Sequence, residues 1–226
     1  MSGPYASMWS GGKDSALALR RALAAGLDVR RLLTFYDAES GRVRFHATRI
    51  ALLEAQAAAL GADLRALGTS WPEMESRLRE ELAKLRSEGF AGVVLGDIHL
   101  ADVRAWYEYR VRAAGLEHVE PIWGEPPAAL LDEFVSGGGR ALVTCVDLRR
   151  LDAGWLGRVV DAGFAAAVSA TGIDPCGENG EYHTFAFAGP PFTAPVAWER
   201  GDVRSDTDFL QLDLLPPRAR LVPTRA

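Results

Sequence analysis

Strand-like and helix-like segments alternate through the first half of the chain, and this alternation constrains the fold more than any other feature. Short apolar runs predict strands at residues 5–9, 29–36, 64–67 and 91–95. Helical spacing and stop signals predict helices at residues 14–25, 48–60, 72–87 and 100–114. Strands separated by helices of this length form right-handed βαβ units. The sequence therefore predicts an α/β fold with a parallel sheet flanked by helices.

The character of the chain changes after Pro121. Residues 126–134 predict a helix that the glycines at 137–139 end, and residues 141–146 predict another strand. From about Gly172 onward turn signals recur, as expected for loops and strands. We therefore expect a smaller C-terminal α+β domain, with residues 1–124 forming the first domain and residues 125–226 the second.

Composition excludes several classes of protein. Hydrophobic residues make up 48% and charged residues 24%, which is not the composition of a disordered chain. Apolar runs are too short for a membrane span, and the first residues do not predict a secretory signal. Two cysteines are too few for a disulfide framework, so we expect a reducing, cytoplasmic compartment. The net charge of −5 makes nucleic acid an unlikely partner.

A glycine-containing polar turn follows the first predicted strand. It is made of Ser10, Gly11, Gly12, Lys13, Asp14 and Ser15. A turn that opens a helix gathers unpaired N–H groups and the positive end of the helix dipole, so it favours a phosphate. The turn matches neither a Walker A loop nor a dinucleotide-binding motif. Lys13 is one of only two lysines in the chain, and a plain capped turn is the alternative explanation.

Residues 10–15 resemble the PP-loop of the ATP pyrophosphatases, which split ATP between the α and β phosphates. The resemblance implies a Rossmann-like (HUP-type) sheet that uses ATP and Mg²⁺. It also implies that the loop, including Ser10, Gly11, Gly12, Lys13 and Ser15, holds the leaving pyrophosphate. Asp14 is the expected Mg²⁺ ligand, and Lys13 and Asp14 are expected to be catalytic.

A second stretch, residues 174–185, reads Asp-Pro-Cys-Gly-Glu-Asn-Gly-Glu-Tyr-His-Thr-Phe. Together with Gly-Pro-Pro-Phe at 189–192, it resembles the C-terminal signature of the diphthine–ammonia ligase family. Gly-Asp-Ile at 96–98 and Pro-Ile-Trp at 121–123 agree with that resemblance, which extends over about residues 5–195. Taken alone, the Asn-Gly pair at 179–180 would predict a hairpin turn.

The resemblance implies an ATP-dependent ligase that adenylates an acceptor carboxylate, releases pyrophosphate and amidates the acceptor with ammonia. The sequence looks like the bacterial branch of the family, so we expect an acceptor other than diphthine and a separate source of ammonia. Nucleotide contacts are expected from Thr34, Phe35, His46 and Gly96. Acceptor or ammonium contacts are expected from Glu178, Asn179, Glu181, Tyr182 and His183, with Glu178 and Glu181 catalytic.

Several alternatives stay open from sequence. The chain could be a tRNA-modifying adenylating enzyme, or a regulator that binds ATP or AMP without turnover. Glu178 and Glu181 could instead satisfy the backbone of their own turn or pair with Arg158. The apolar stretch at residues 191–198 could pair two subunits as a homodimer.

Overall fold

The computed structural model describes residues 3–43 and 46–217, and the first part of this chain builds one sheet with helices around it. The strands of this sheet are β1 (Tyr5–Met8), β2 (Val29–Asp37), β3 (Arg42–Val43), β4 (Asp63–Thr69), β5 (Gly92–Val94) and β6 (Glu117–Val119). The helices are α1 (Lys13–Ala24), α2 (Ile50–Leu60), α3 (Met74–Ser87) and α4 (Ala101–Ala113).

Four strand pairings of this sheet confirm the predicted parallel architecture. The strand order is β4-β2-β1-β5-β6, and all four of these pairings are parallel. The short strand β3 adds an antiparallel pair at the end of β2. From β1 the chain proceeds to β2 on one side and later to β5 on the other, so a crevice opens beyond the carboxyl ends of β1 and β5. Ligands of open α/β sheets bind at such a switch point.

The second part of the chain forms the smaller α+β unit that the sequence predicts. Its elements are α5 (Pro127–Ser136), β7 (Arg140–Asp147), a 3₁₀ turn (Ala153–Trp155), β8 (Val159–Val160), α6 (Ala162–Ser169), β9 (Tyr182–Ala188), β10 (Glu199–Asp206) and β11 (Phe209–Leu215). Its sheet has the order β10-β11-β7-β8, and β9 pairs with β7. All pairings in this sheet are antiparallel.

The structure corrects the sequence prediction in several places. Strands β3 and β6 and helix α6 were not predicted; two of these elements are too short to show a period, and α6 is almost uniformly apolar. The start of helix α6 is marked by an N-cap: the Asp161 carboxylate accepts a hydrogen bond of 2.9 Å from the Phe164 N–H. The hairpin prediction at 179–180 is wrong, since Gly180 lies in a turn before β9 and β9 pairs with β7.

The two sheets meet where β9 passes the turn at residues 10–15. The Ala186 N–H donates to the Gly11 carbonyl at 2.8 Å, and the Lys13 N–H donates to Thr184 Oγ1 at 3.0 Å. One core cluster includes Leu17 of α1 and Phe164 of α6, so the two parts share buried surface. Strand β9 thereby fixes the turn against the second sheet. Over the described ranges, no helix has the length and apolarity needed to cross a membrane.

Candidate functional site

A cavity of about 320 Å³ lies in the crevice beyond β1 and β5. This volume falls at the lower end of the range typical of small-molecule sites, about 300–1,000 Å³. Most of the residues predicted for the site line it: Ser10, Lys13, Asp14, Ser15, Phe35, His46, Gly96, Glu178, Tyr182 and His183. The structure therefore brings together the turn after β1 and the loop before β9, which are about 160 residues apart in sequence.

Two of the predicted glycines shape the turn from behind the cavity wall. Gly11 has a φ of +80°, a conformation that other residues rarely adopt. A Cβ on Gly12 would lie 2.8 Å from Cε1 of His46 and 3.2 Å from the Thr184 carbonyl oxygen. Glycine at position 12 therefore lets the turn approach β9 closely.

Serine side chains stabilise this turn from inside. Ser10 Oγ accepts a hydrogen bond of 3.2 Å from the Gly12 N–H, and Ser15 Oγ donates to the Gly12 carbonyl at 3.0 Å. The N-cap residue of α1 is Gly12, which has no capping side chain, and of the first-turn N–H groups that of Lys13 is bound by Thr184 Oγ1. Helix α1 therefore presents the start of its dipole to the cavity, as an anion site requires.

Lys13 lies at the junction of the two sheets and is only 2% exposed. Its Nζ lies 2.8 Å from Asp14 Oδ2, donates to the Cys176 carbonyl and lies 5.0 Å from the centre of the Tyr182 ring. Burial lowers the pKa of Lys13, but the Asp14 carboxylate and Tyr182 outweigh it and hold that pKa above the ordinary value. Lys13 is thus a buried, permanently charged ammonium group between the turn and the 174–178 loop.

Two carboxyl groups form the acidic end of the cavity. Glu178 Oε1 accepts a hydrogen bond of 2.8 Å from the Ile98 N–H, next to Asp97 in the chain. Burial, with a contribution from the Asp14 charge, raises the pKa of Glu178 to about 7. Burial and Asp14 likewise raise the pKa of Asp97 to about 6. Near neutral pH these groups can therefore hold or release a proton.

Two residues of the 174–185 stretch that are predicted to contact the substrate, Asn179 and Glu181, do not line the cavity. Glu181 is 1% exposed and lies outside the cavity wall, with its Oε1 3.4 Å from both the Asp174 N–H and Asn179 Nδ2. Arg150 lies 3.7 Å from the same oxygen, whereas Arg158, the partner suggested from sequence, stacks on Trp155. Glu181 and Asn179 therefore support the loop from behind.

The two histidines of the cavity lie side by side and are half-buried. The ring centres of His46 and His183 are 4.8 Å apart, and His46 Nδ1 lies 3.1 Å from the Thr184 carbonyl oxygen. Burial lowers the pKa of His46 and lowers that of His183 well below its ordinary value. Both rings are therefore neutral at physiological pH and offer hydrogen-bonding groups without charge.

The opposite wall of the cavity is apolar. It is lined by Met8, Leu33, Phe35, Trp71, Met74, Val103 and Tyr107. Thr34, predicted to contact a nucleotide, instead donates a hydrogen bond of 2.5 Å to the Trp9 carbonyl and is buried behind this wall. Trp71, Met74 and Tyr107 were missed from sequence, because only the crossing of α3 and α4 over the sheet brings them to the cavity. An apolar wall opposite a polar turn suits a flat base attached to phosphates.

The carboxylates of the cavity are the side chains that could hold the predicted Mg²⁺. No group of three histidine, cysteine, aspartate or glutamate side chains is placed to hold a metal within residues 3–43 and 46–217. Asp14 and Asp97 nevertheless offer oxygen atoms at the cavity. Mg²⁺ is commonly held by one or two carboxylates together with substrate phosphates. These residues therefore fit Mg²⁺ that arrives with a nucleotide.

Comparison with known protein families gives two matches that cover most of the chain. Residues 3–118 match the model of the diphthamide synthase N-terminal domain, which by itself accounts for more than half of the chain. Residues 126–205 match the model of the diphthamide synthase C-terminal domain. No curated protein matches the chain.

Proposed function

The chain belongs to the diphthamide synthase family, and we propose that it is an ATP-dependent amide ligase. The proposal is that it adenylates an acceptor carboxylate, releases pyrophosphate, and then replaces AMP with ammonia. One observation carries it: the phosphate-binding type of turn at residues 10–15 and the acidic loop ending in Glu178 open into the same cavity. An enzyme that joins ATP to an acceptor needs these two parts within one cavity.

The nucleotide is assigned to the β1–β5 side of the cavity. The phosphates lie on the turn with Ser10, Lys13 and Ser15, and Asp14 contributes to the binding of Mg²⁺. The base lies against the apolar wall that includes Phe35 and Trp71. Gly96 keeps β5 close to this turn, because a Cβ there would lie 3.1 Å from Ser15 Cα. Bound Mg²⁺ would neutralise phosphate charge in the transition state.

The first half-reaction needs positioning more than proton transfer. An oxygen of the acceptor carboxylate attacks the α phosphorus, the bond to the β-phosphate oxygen breaks, and pyrophosphate leaves. Lys13 supplies a positive charge beside the leaving group, and the first-turn N–H groups of α1 supply partial positive charge. Together they stabilise the negative charge that builds up on pyrophosphate.

The second half-reaction needs a base. Free ammonia attacks the acyl carbon, AMP leaves with the bonding electrons, and the new amide nitrogen loses a proton. Because ammonia is mostly ammonium at neutral pH, one further proton must be removed before the attack. Glu178 lines the cavity with a pKa of about 7, so its carboxylate is suited to accept a proton there.

The acceptor is assigned to the side of the cavity formed by Glu178, Tyr182 and His183, with His46 beside them. We propose that residues 1–124 hold the nucleotide and residues 125–226 hold most of the acceptor. We also propose that the chain belongs to the bacterial branch of the family, that its acceptor is not diphthine, and that it acts in the cytoplasm. Within residues 191–198, Val196 is 4% exposed and Trp198 contacts Phe187, whereas residues 193–195 and 197 are exposed. A homodimer formed through this stretch stays a proposal.

The proposal is tested by following AMP and pyrophosphate formed from α-labelled ATP with Mg²⁺ and ammonium chloride. A diphthine-containing peptide and a panel of small carboxylic acids serve as acceptors. We expect AMP and pyrophosphate in equal amounts with at least one acceptor, and a matching amide by mass spectrometry. ATP binding without AMP formation for any acceptor would instead support the non-catalytic regulator. Lys13→Met provides the inactive reference.

A further inference from the structure

The loop at residues 174–178 is attached to the first sheet at three points. His99 contacts Asp174 at the start of the loop, Lys13 contacts the carbonyl of Cys176 in its middle, and the Ile98 N–H binds Glu178 at its end. Lys13 and Glu178 have roles in the proposed reaction, whereas the contact between His99 and Asp174 has none.

We propose that His99 is a positioning residue, which anchors Asp174 so that the 174–178 loop holds the Glu178 carboxylate in the cavity. This inference rests on the proposed function, because it takes Glu178 as a group that acts on the substrates. His99 itself does not line the cavity, so it acts through the loop.

Asp174 is built as the anchor of the loop. Its side chain is 7% exposed, and Oδ2 lies 2.7 Å from His99 Nε2. Oδ1 accepts a hydrogen bond of 2.7 Å from the Cys176 N–H, and the Asp174 carbonyl accepts one of 2.9 Å from the Gly177 N–H. One residue therefore binds both His99 and the turn of the loop that leads to Glu178.

The two ends of the loop bind consecutive residues of the segment after β5. Ile98 is fully buried and holds Glu178, whereas the neighbouring His99 side chain is 35% exposed and holds Asp174. Attachment at both ends removes the freedom of the loop to swing away from the cavity. If the His99 end is released, the loop keeps the Ile98 and Lys13 contacts. On its other side it also keeps the hydrogen bonds from Tyr182 Oη to the Pro175 carbonyl and from Cys176 Sγ to the Pro127 carbonyl.

The kinetic test uses two substitutions at one position. His99→Ala removes the donor, whereas His99→Gln keeps a side chain that can donate to Asp174. With the acceptor that supports AMP formation by the unmodified protein, we expect His99→Ala to lower kcat by about tenfold to 100-fold. KM for MgATP should stay within about twofold, and His99→Gln should recover most of kcat. Arg77→Ala, in an exposed ion pair on α3, is the control for a surface charge change.

A spectroscopic test works without an acceptor. The carboxyl carbon of Glu178 is followed by NMR in ¹³C-glutamate-labelled protein and assigned with Glu178→Gln. The chain has only four histidines, so the His99 signal is assignable by deletion. We expect the Glu178 midpoint to be lower in His99→Ala than in His99→Gln. Both substitutions remove the His99 charge, but only His99→Ala releases the loop and lets the Glu178 carboxyl gain solvent.

The two tests separate the inference from the proposed function. If the unmodified protein is active, an unchanged kcat in His99→Ala and an equal Glu178 midpoint in His99→Ala and His99→Gln would overturn the positioning role alone. An inactive unmodified protein would overturn the ligase function, and the Glu178 midpoint would still decide whether His99 positions the loop. Equal losses in His99→Ala and His99→Gln, with a lowered melting temperature in both, would also count against positioning.

Discussion

Gln56 connects three parts of the molecule beneath the turn at residues 10–15, and its replacement is a sensitive test of how that turn is held. Its side chain is fully buried. Nε2 donates to the Gly11 carbonyl at 2.9 Å and to the Ala186 carbonyl at 2.7 Å, and Oε1 accepts from Trp9 Nε1 at 2.8 Å. Gln56→Leu keeps a similar volume and removes all three hydrogen bonds.

The loss of unfolding free energy in Gln56→Leu depends on which hydrogen bonds the three partners of Gln56 retain. The Gly11 carbonyl still accepts from the Ala186 N–H, so it loses least. Trp9 Nε1 and the Ala186 carbonyl each lose a buried hydrogen bond, at about 1–3 kcal/mol apiece. Burying a leucine in place of an amide offsets about 1 kcal/mol. We therefore expect Gln56→Leu to lower the free energy of unfolding by about 1–5 kcal/mol.

Urea unfolding followed by circular dichroism measures this change. Glu54→Leu, at an exposed position of the same helix, is the matched control and should alter stability by less than about 1 kcal/mol. Because the Gly11 turn loosens, MgATP affinity measured by calorimetry should also fall. A loss below about 1 kcal/mol for Gln56→Leu, at an unchanged denaturant slope, would refute the assignment of Gln56 as the support of the turn.

Three further predictions concern the charged groups. Lys13→Arg keeps the positive charge, but the Lys13 side chain is only 2% exposed and a larger guanidinium does not fit beside Asp14. AMP formation should therefore fall at least about tenfold, and activity near that of the unmodified protein would refute this. Glu178→Gln should stabilise the fold by about 1–3 kcal/mol at pH 8 and little at pH 4, because the raised pKa makes the ionised carboxyl unfavourable as pH rises through about 7. Asp213→Asn should destabilise the protein more at pH 7 than at pH 3. Arg49 and Arg42 hold the Asp213 pKa below its ordinary value, so the stabilisation that they give is lost on acidification. Equal effects of the substitution at both pH values in thermal melts would contradict this prediction.

Local sequence signals were enough for the framework of the site. The alternation of strands and helices predicted the parallel sheet, and the turn after β1 predicted an anion site at its carboxyl edge. Glu178, Tyr182 and His183 were found through the family resemblance of residues 174–185, and the structure places all three at the cavity. Signals of this kind are carried by neighbouring residues, so they survive without knowledge of the tertiary structure.

Other features could not be predicted from neighbouring residues. Glu181 was expected at the cavity with Glu178, but its carboxylate turns toward Asp174 and Asn179. Spacing in an irregular turn does not fix the direction of a side chain, as the period of a helix or strand does. The Asn-Gly pair likewise indicated a hairpin, whereas the partner of the following strand lies more than thirty residues earlier.

By itself, the sequence determined the α/β framework, the polar turn with Lys13 and membership of a two-domain family, because these are written in local patterns and motifs. Only the tertiary structure decided which groups meet at the cavity. The contacts of Lys13 with the Cys176 carbonyl and of His99 with Asp174 join residues separated by 163 and 75 positions. The raised pKa values of Asp97 and Glu178 also come from burial and from the Asp14 charge. Burial and long-range approach are properties of the folded chain, so no local pattern encodes them.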